Sequence, residues 1–178
     1  GAIVLTANQP FTTKLIGSNL KLFRYCWIWD KLHHSNPLIA KIQPLRVYED
    51  ICVFYKKKCT YNPQGVRKVS ISKKSPKSNT FGSPKRKFYT QEQTGYPTNI
   101  LRFPKDTDRY HPTQKPVALF EYLIKTYTNE GDVVLDNCIG SGTTGVAAVN
   151  TGRSFIGIEQ APEYVEIANR RIAEAIEG

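Results

Sequence analysis

The chain has 178 residues, 40% of them hydrophobic and 22% charged, with a net charge of +10 and a pI near 9.5. That length is one ordinary domain, able to bury roughly 70% of the surface of its unfolded form. No apolar run approaches the ~18 residues of a helical membrane span and no signal-like apolar stretch opens the chain, so it reads as a soluble cytoplasmic protein. The basic balance admits a polyanionic partner without demanding one. The four cysteines, Cys26, Cys52, Cys59 and Cys138, form no C-x-x-C pair and have no histidine at zinc spacing, which favours free thiols in a reducing compartment.

In chain order, residues 2–7, "AIVLTA", form a continuous apolar, β-branched run of the kind buried in parallel sheets, followed by a helix that starts near Pro10, Thr12 or Thr13. "FRYCWIWDK" (23–31) alternates aromatic and polar residues and reads as a strand, as does "EDICVFYKK" (49–57). Trp27 and Trp29 fall on the same face of the first of these, which points to core or interface, with base stacking the lesser alternative. The stretch between them has two prolines and turn residues and reads as an irregular connection.

From Lys56 to Arg109 the composition changes, with fourteen Lys or Arg against three acids among many Pro, Ser, Asn, Gln and Gly. Such a segment is commonly a solvated loop. Its interleaved Tyr and Phe equally suit a segment that tracks phosphates and stacks bases.

Beyond "HPTQKP" the pattern becomes regular. Residues 117–128 have helical spacing with Pro116 at the first turn, "GDVVLDNC" is a strand, and "TTGVAAVNTG" is a small-residue helix closed by Gly152. "RSFIGIE" is a further strand, and residues 161–177 form an amphipathic helix. The C-terminal part is therefore one βαβ unit with a helix on either side.

The loop in that unit, "DNCIGSGTTG" (136–145), spells G-x-G-x-x-G at Gly140, Gly142 and Gly145. A Walker A loop requires Lys and then Ser or Thr after the last glycine, and Val146 and Ala147 stand there instead, so a phosphate loop is excluded. A dinucleotide loop is favoured by the strand before it, the helix after it and Glu159 at the end of the next strand. Its position opposes that reading, because only one strand and one helix follow, and the other strands must come earlier in the chain. Asp136 beside the loop would repel a pyrophosphate but suits an ammonium group. A ligand with adenosine at one end and an amino acid at the other is S-adenosylmethionine.

"HPTQKPVAL", then "VVLDNCIGSGTTGVAA" and "FIGIE", closely resemble the DNA amino-methyltransferases of the permuted class, whose catalytic motif precedes the cofactor motifs. The similarity is greatest to the small adenine methylases of phages and prophages, and it covers nearly all of the chain outside the basic insert. It implies a Rossmann-like α/β domain with a mostly parallel three-layer sheet and a basic irregular insert over 56–109. By this resemblance, Asp136 lies near the amino group of the methionine moiety of S-adenosylmethionine and Gly140, Ser141, Gly142 and Thr143 surround that moiety. Glu159 takes the ribose hydroxyls, while Thr113, Gln114 and Lys115 approach from the other side, with Lys115 suited to the carboxylate. The family usually has Pro-Phe after the aspartate, and Asn137-Cys138 here changes the pocket wall. His111 is given a turn-capping role only.

The resemblance further implies site-specific methylation of double-stranded DNA, adenine N6 ahead of cytosine N4, and is compatible with a homodimer. Lys73, Lys74, Lys85, Arg86 and Lys87 of the insert would meet phosphates. Such enzymes hold the target amine with Asp, Asn or Ser followed by Pro-Pro and an aromatic residue. No Pro-Pro pair occurs in the chain, which also contains no methionine. These features lead to the expectation that the catalytic motif lies in a segment upstream of Gly1 and that the chain alone is nearly inactive, the alternatives being a non-catalytic remnant that binds cofactor or DNA and a methyltransferase of RNA or protein.

Overall fold

The computed structural model of the protein describes residues 1–74, 88–108 and 110–178. In chain order the elements are β1 (Ile3–Ala7), α1 (Phe11–Ser18), β2 (Phe23–Ser35), β3 (Arg46–Phe54), β4 (Arg67–Lys74), β5 (Phe88–Thr94) and β6 (Ile100–Arg102). They continue with α2 (Val117–Tyr127), β7 (Val133–Asp136), α3 (Thr143–Asn150), β8 (Ser154–Gly157) and α4 (Pro162–Glu177). Two compact units result, one of Gly1–Asn62 with Thr98–Gly178 and one of Pro63–Pro97.

In the larger unit four strands make a sheet in the order β1-β3-β2-β6, and β7 and β8 form a separate parallel pair. Connection length explains the strand directions. β1 reaches β2 through the crossover helix α1, and β7 reaches β8 through α3, so each pair points the same way. β2 and β3 are joined by ten residues that hold a single 3-10 turn at Pro37–Ile39, too short for a helical crossover, and β3 returns antiparallel to both neighbours. The α/β class and the mostly parallel strand directions are as expected, with β3 the one reversed strand among β1, β3, β2 and β6. Two readings change. β2 continues to Ser35 through a register irregularity after Asp30, and β1 is an edge strand with Ile3 and Leu5 exposed rather than a buried central one.

Helix α2 ties the unit together. Its Leu119, Leu123 and Tyr127 pack on Trp27, Trp29, Ile51, Val53 and Leu101 of the four-stranded sheet. Its Ile124 packs with Ala147 and Ala148 of α3, against Val134 and Phe155 of the β7–β8 pair. Both tryptophans are buried as core, with the Trp27 indole N–H donating to the Tyr127 hydroxyl at 2.6 Å and that of Trp29 to the Phe103 carbonyl at 2.8 Å. Burial of each such side chain contributes about 2 kcal/mol. Residues 133, 135 and 156 lie on the other face of the β7–β8 pair, opposite Val134 and Phe155, and Val133, Leu135 and Ile156 are 60%, 64% and 55% exposed.

The smaller unit is an antiparallel β4–β5 hairpin. Of the stretch expected as a basic irregular insert, 56–109, the described residues include β4 and β5 here, while residues 56–62 and 98–108 belong to the larger unit, where β6 extends the sheet beside β2. The charge of "RKVSISKK" masks its period-two alternation of Val69 and Ile71, which is the pattern of a strand.

Candidate cofactor site

The loop between β7 and α3 is built around Asp136 at the end of β7. One carboxylate oxygen accepts the Thr144 hydroxyl at 2.5 Å and the other accepts the Cys138 backbone N–H at 3.1 Å. A carboxylate has about four acceptor positions, so two are left for a ligand. Burial, and next the Asp136 charge, push the Cys138 thiol above its ordinary pKa, which keeps it protonated and unreactive.

Two glycines are required by packing. Gly142 has φ +85°, and a Cβ there would lie 2.8 Å from the backbone of Ala168 in α4. At Gly145 a Cβ would lie 2.5 Å from Ile172. The glycine spacing thus lets α4 seat directly on the loop and α3, while at Gly140, with φ +52°, a Cβ would only come into ordinary contact with the His111 ring at 3.8 Å.

Glu159 joins the same assembly from the end of β8. It accepts the Gly140 N–H at 2.9 Å on one oxygen and the N–H groups of Gln160 and Ala161, at 2.9 and 3.1 Å, on the other. These donors, the Ala161 and Gly140 amides foremost, hold its pKa below the ordinary carboxylate value. Three of its acceptor positions are used and about one remains.

The H-P-T-Q-K-P turn is latched onto this loop. The Gln114 side-chain oxygen accepts the Ser141 hydroxyl at 3.2 Å and the Tyr110 N–H at 3.0 Å, and its amide nitrogen donates to the Asp108 carbonyl at 2.9 Å. The Thr143 hydroxyl donates to the Lys115 carbonyl at 3.4 Å. Nδ1 of His111 accepts the Thr113 N–H at 3.1 Å, and its ring meets Tyr164 edge-on at 4.4 Å, so it caps its turn as expected. Thr113, Gln114, Lys115, Asp136, Gly140, Ser141, Gly142, Thr143 and Glu159 therefore fall in one connected assembly.

Sequence reasoning missed three members of it. Arg171 of α4 is buried and donates to the Ser141 carbonyl at 2.6 Å, beneath the Tyr110 ring at 4.9 Å. Glu49 and Lys31 are also buried: Glu49 receives the Lys31 ammonium at 2.6 Å and the Lys115 ammonium at 3.0 Å. Burial alone would raise the Glu49 pKa, but the two lysines outweigh it and the value is lowered. The period-two rule contains the signal, because Lys31 follows Trp27 and Trp29 on one face of β2 and Glu49 pairs directly with Trp29. An Arg on an amphipathic helix carries no comparable signal.

In the hairpin, Lys73 and Lys74 are exposed and pair with Tyr89 and Phe88, and the Lys74 ammonium lies 5.1 Å over the Phe88 ring. Lys85, Arg86 and Lys87 lie outside the described residues.

Residues 13–170 match the family model described as DNA methylase. The chain is 33% identical over 176 residues to the DNA adenine methyltransferase YhdJ of Escherichia coli strain K12, covering 94% of this chain and 58% of that protein. Over 62 residues, 35% of this chain and 23% of the relative, it is 55% identical to the type II methyltransferase M2.DpnII of Streptococcus pneumoniae. The chain thus spans little more than half of the first relative and about a quarter of the second. Among solved structures, the M1.HpyAVI–SAM complex superposes with a TM-score of 0.66 at 29% identity, over 97% of this chain and 74% of that one. The cytosine-N4-specific PvuII DNA methyltransferase superposes at 0.71 with 17% identity, over 99% of this chain and 69% of that one, a likeness of fold alone. With a family match spanning most of its length and a site built on the same fold, the chain belongs to the DNA methylase family.

Proposed function

We propose that this chain is the cofactor-binding and DNA-contacting part of an S-adenosylmethionine-dependent, site-specific DNA methyltransferase of the cytoplasm. It acts on an exocyclic amine of double-stranded DNA, adenine N6 ahead of cytosine N4. The observation that carries this reading is the latch of residues 111–115 onto the loop of residues 136–143, closed by Glu159.

The free valences of that assembly suit S-adenosylmethionine. Lys115 supplies a cation for a carboxylate, Asp136 two acceptor positions for an ammonium, and Glu159 one position for a ribose hydroxyl. When bound, the cofactor supplies an electrophilic methyl group. The residues of this chain bind and orient it, and the acceptor of the amine proton lies elsewhere, since no Pro-Pro-aromatic motif occurs in the 178 residues. The name of the E. coli relative, an adenine methyltransferase, favours N6. The exposed lysines and aromatics of the β4–β5 hairpin suit phosphate and base contacts.

The catalytic motif is assigned to a polypeptide segment outside residues 1–178 that covers the bare face of the β7–β8 pair. Parallel strands are ordinarily covered on both faces, and the relatives are longer than this chain. The test is incubation of the chain with methyl-labelled cofactor and duplex DNA. Cofactor retention with negligible transfer is expected; transfer at the rate of a complete enzyme overturns the assignment of the motif, and failure to retain cofactor favours a remnant that binds DNA alone.

A further inference from the structure

The Lys31–Glu49–Lys115 cluster is unbalanced. Two ammonium groups share one carboxylate, at 2.6 and 3.0 Å, and the side chains of Lys31, Glu49 and Lys115 are 5%, 9% and 18% exposed. All three line a cavity of about 310 Å³. The cluster itself therefore carries one positive charge in excess, and Asp106, a further carboxylate on the described wall, accepts the Val117 N–H at 3.2 Å. Glu49 cannot offset that excess, since each of its oxygens already receives an ammonium. A partly buried excess charge is costly unless an anion enters. Lys31 also has little freedom to turn away, being fixed between Glu49 and the face of Trp29, 5.3 Å from the ring centre.

We infer that Lys31 is a second carboxylate-binding residue of the cofactor site: with Lys115 it receives the amino-acid carboxylate of S-adenosylmethionine, and Glu49 holds the two ammonium groups in place. This rests on the proposed cofactor reading and deepens it. The carboxylate is favoured over a DNA phosphate because the cavity is walled by His111, Thr113 and Gln114, the turn that is latched to the glycine loop.

The test is calorimetric titration of the chain with S-adenosylhomocysteine and with its decarboxylated analogue, which keeps the adenosine, the thioether and the ammonium. Lys31→Met is expected to weaken S-adenosylhomocysteine about tenfold and the decarboxylated analogue less than twofold, with most of the loss recovered in Lys31→Arg. Lys31→Gln provides the same comparison where the Met variant does not fold. Equal weakening of both ligands, or of neither, overturns the inference. Weakened binding of duplex DNA with unchanged S-adenosylhomocysteine affinity assigns the anion to a phosphate and overturns it also. A wild-type chain that binds neither ligand overturns the cofactor reading itself, whereas wild-type binding with unselective variants overturns only the role of Lys31.

Discussion

The Ser141 hydroxyl donates to the side-chain oxygen of Gln114 at 3.2 Å, across 27 positions of sequence, and so joins the H-P-T-Q-K-P turn to the glycine loop. Ser141 is itself held from behind by the Arg171 guanidinium, which donates to its carbonyl at 2.6 Å. Ser141→Ala removes the first contact, together with the bond its hydroxyl accepts from Arg171 at 3.2 Å, and retains the one to its carbonyl. It is expected to cost about 1 kcal/mol of stability and to weaken cofactor roughly fivefold. Gln114→Ala, which also frees Tyr110 N–H and the Asp108 carbonyl, is expected to weaken cofactor more. Calorimetry on the two variants gives the comparison, and equal affinities would argue against the latch.

Gly142→Ala combines a left-handed backbone with a Cβ 2.8 Å from Ala168. A cost of about 2–4 kcal/mol is expected, because neither the backbone of α4 nor the loop has room to yield. Denaturant unfolding measures it, and a loss below about 0.5 kcal/mol would mean that α4 does not seat on this glycine.

The Glu159 carboxylate has a lowered pKa because the backbone amides of Ala161 and Gly140 donate to it. Its contribution to stability is therefore fully present above the ordinary carboxylate pKa of about 4.3 and is lost as pH falls through the lower folded value. Glu159→Gln should flatten the stability profile in that acid window and leave the profile near neutrality parallel to the wild type. Unfolding curves taken between neutrality and strong acid check this, and an unchanged acid slope counts against it.

Lys73 and Lys74 stand exposed beside Tyr89 and Phe88 on the hairpin. Replacing both with Ala is expected to lower the slope of log affinity against log salt by about 2, near 0.9 for each phosphate released. Affinity for duplex DNA should fall by a similar factor across sequences. Fluorescence anisotropy at several salt concentrations reads the slope, and an unchanged slope removes these lysines from the interface.

The parts of the fold that were legible in the sequence are those fixed by neighbouring residues. The loop glycines, Asp136 at the strand end and Glu159 after the next strand lie within one βαβ unit, so their spacing alone brings them together. Trp27 and Trp29 were assigned to the core by alternation and are buried there. Direction was less legible: β3 runs antiparallel because of the short connection before it, which the composition of the strand does not report. β4 and β5 were hidden because their lysines and glutamines carry the signature of a solvated loop, although β4 alternates like a strand. Lys31 and Glu49 were visible in principle, as charged residues on apolar strand faces, but only the register that sets Glu49 opposite Trp29 brings them together. Arg171 was not visible, since its burial depends on α4 folding back onto the glycine loop.

The most direct measurement is the backbone amide NMR spectrum of the isotope-labelled chain with and without S-adenosylhomocysteine. Shifts are predicted to concentrate at residues 111–115, 136–143 and 159, with the β4–β5 hairpin unchanged. A saturating ligand that leaves Thr113, Gly140 and Glu159 unshifted, or that moves residues elsewhere in their place, would contradict the assignment of this assembly as the cofactor site.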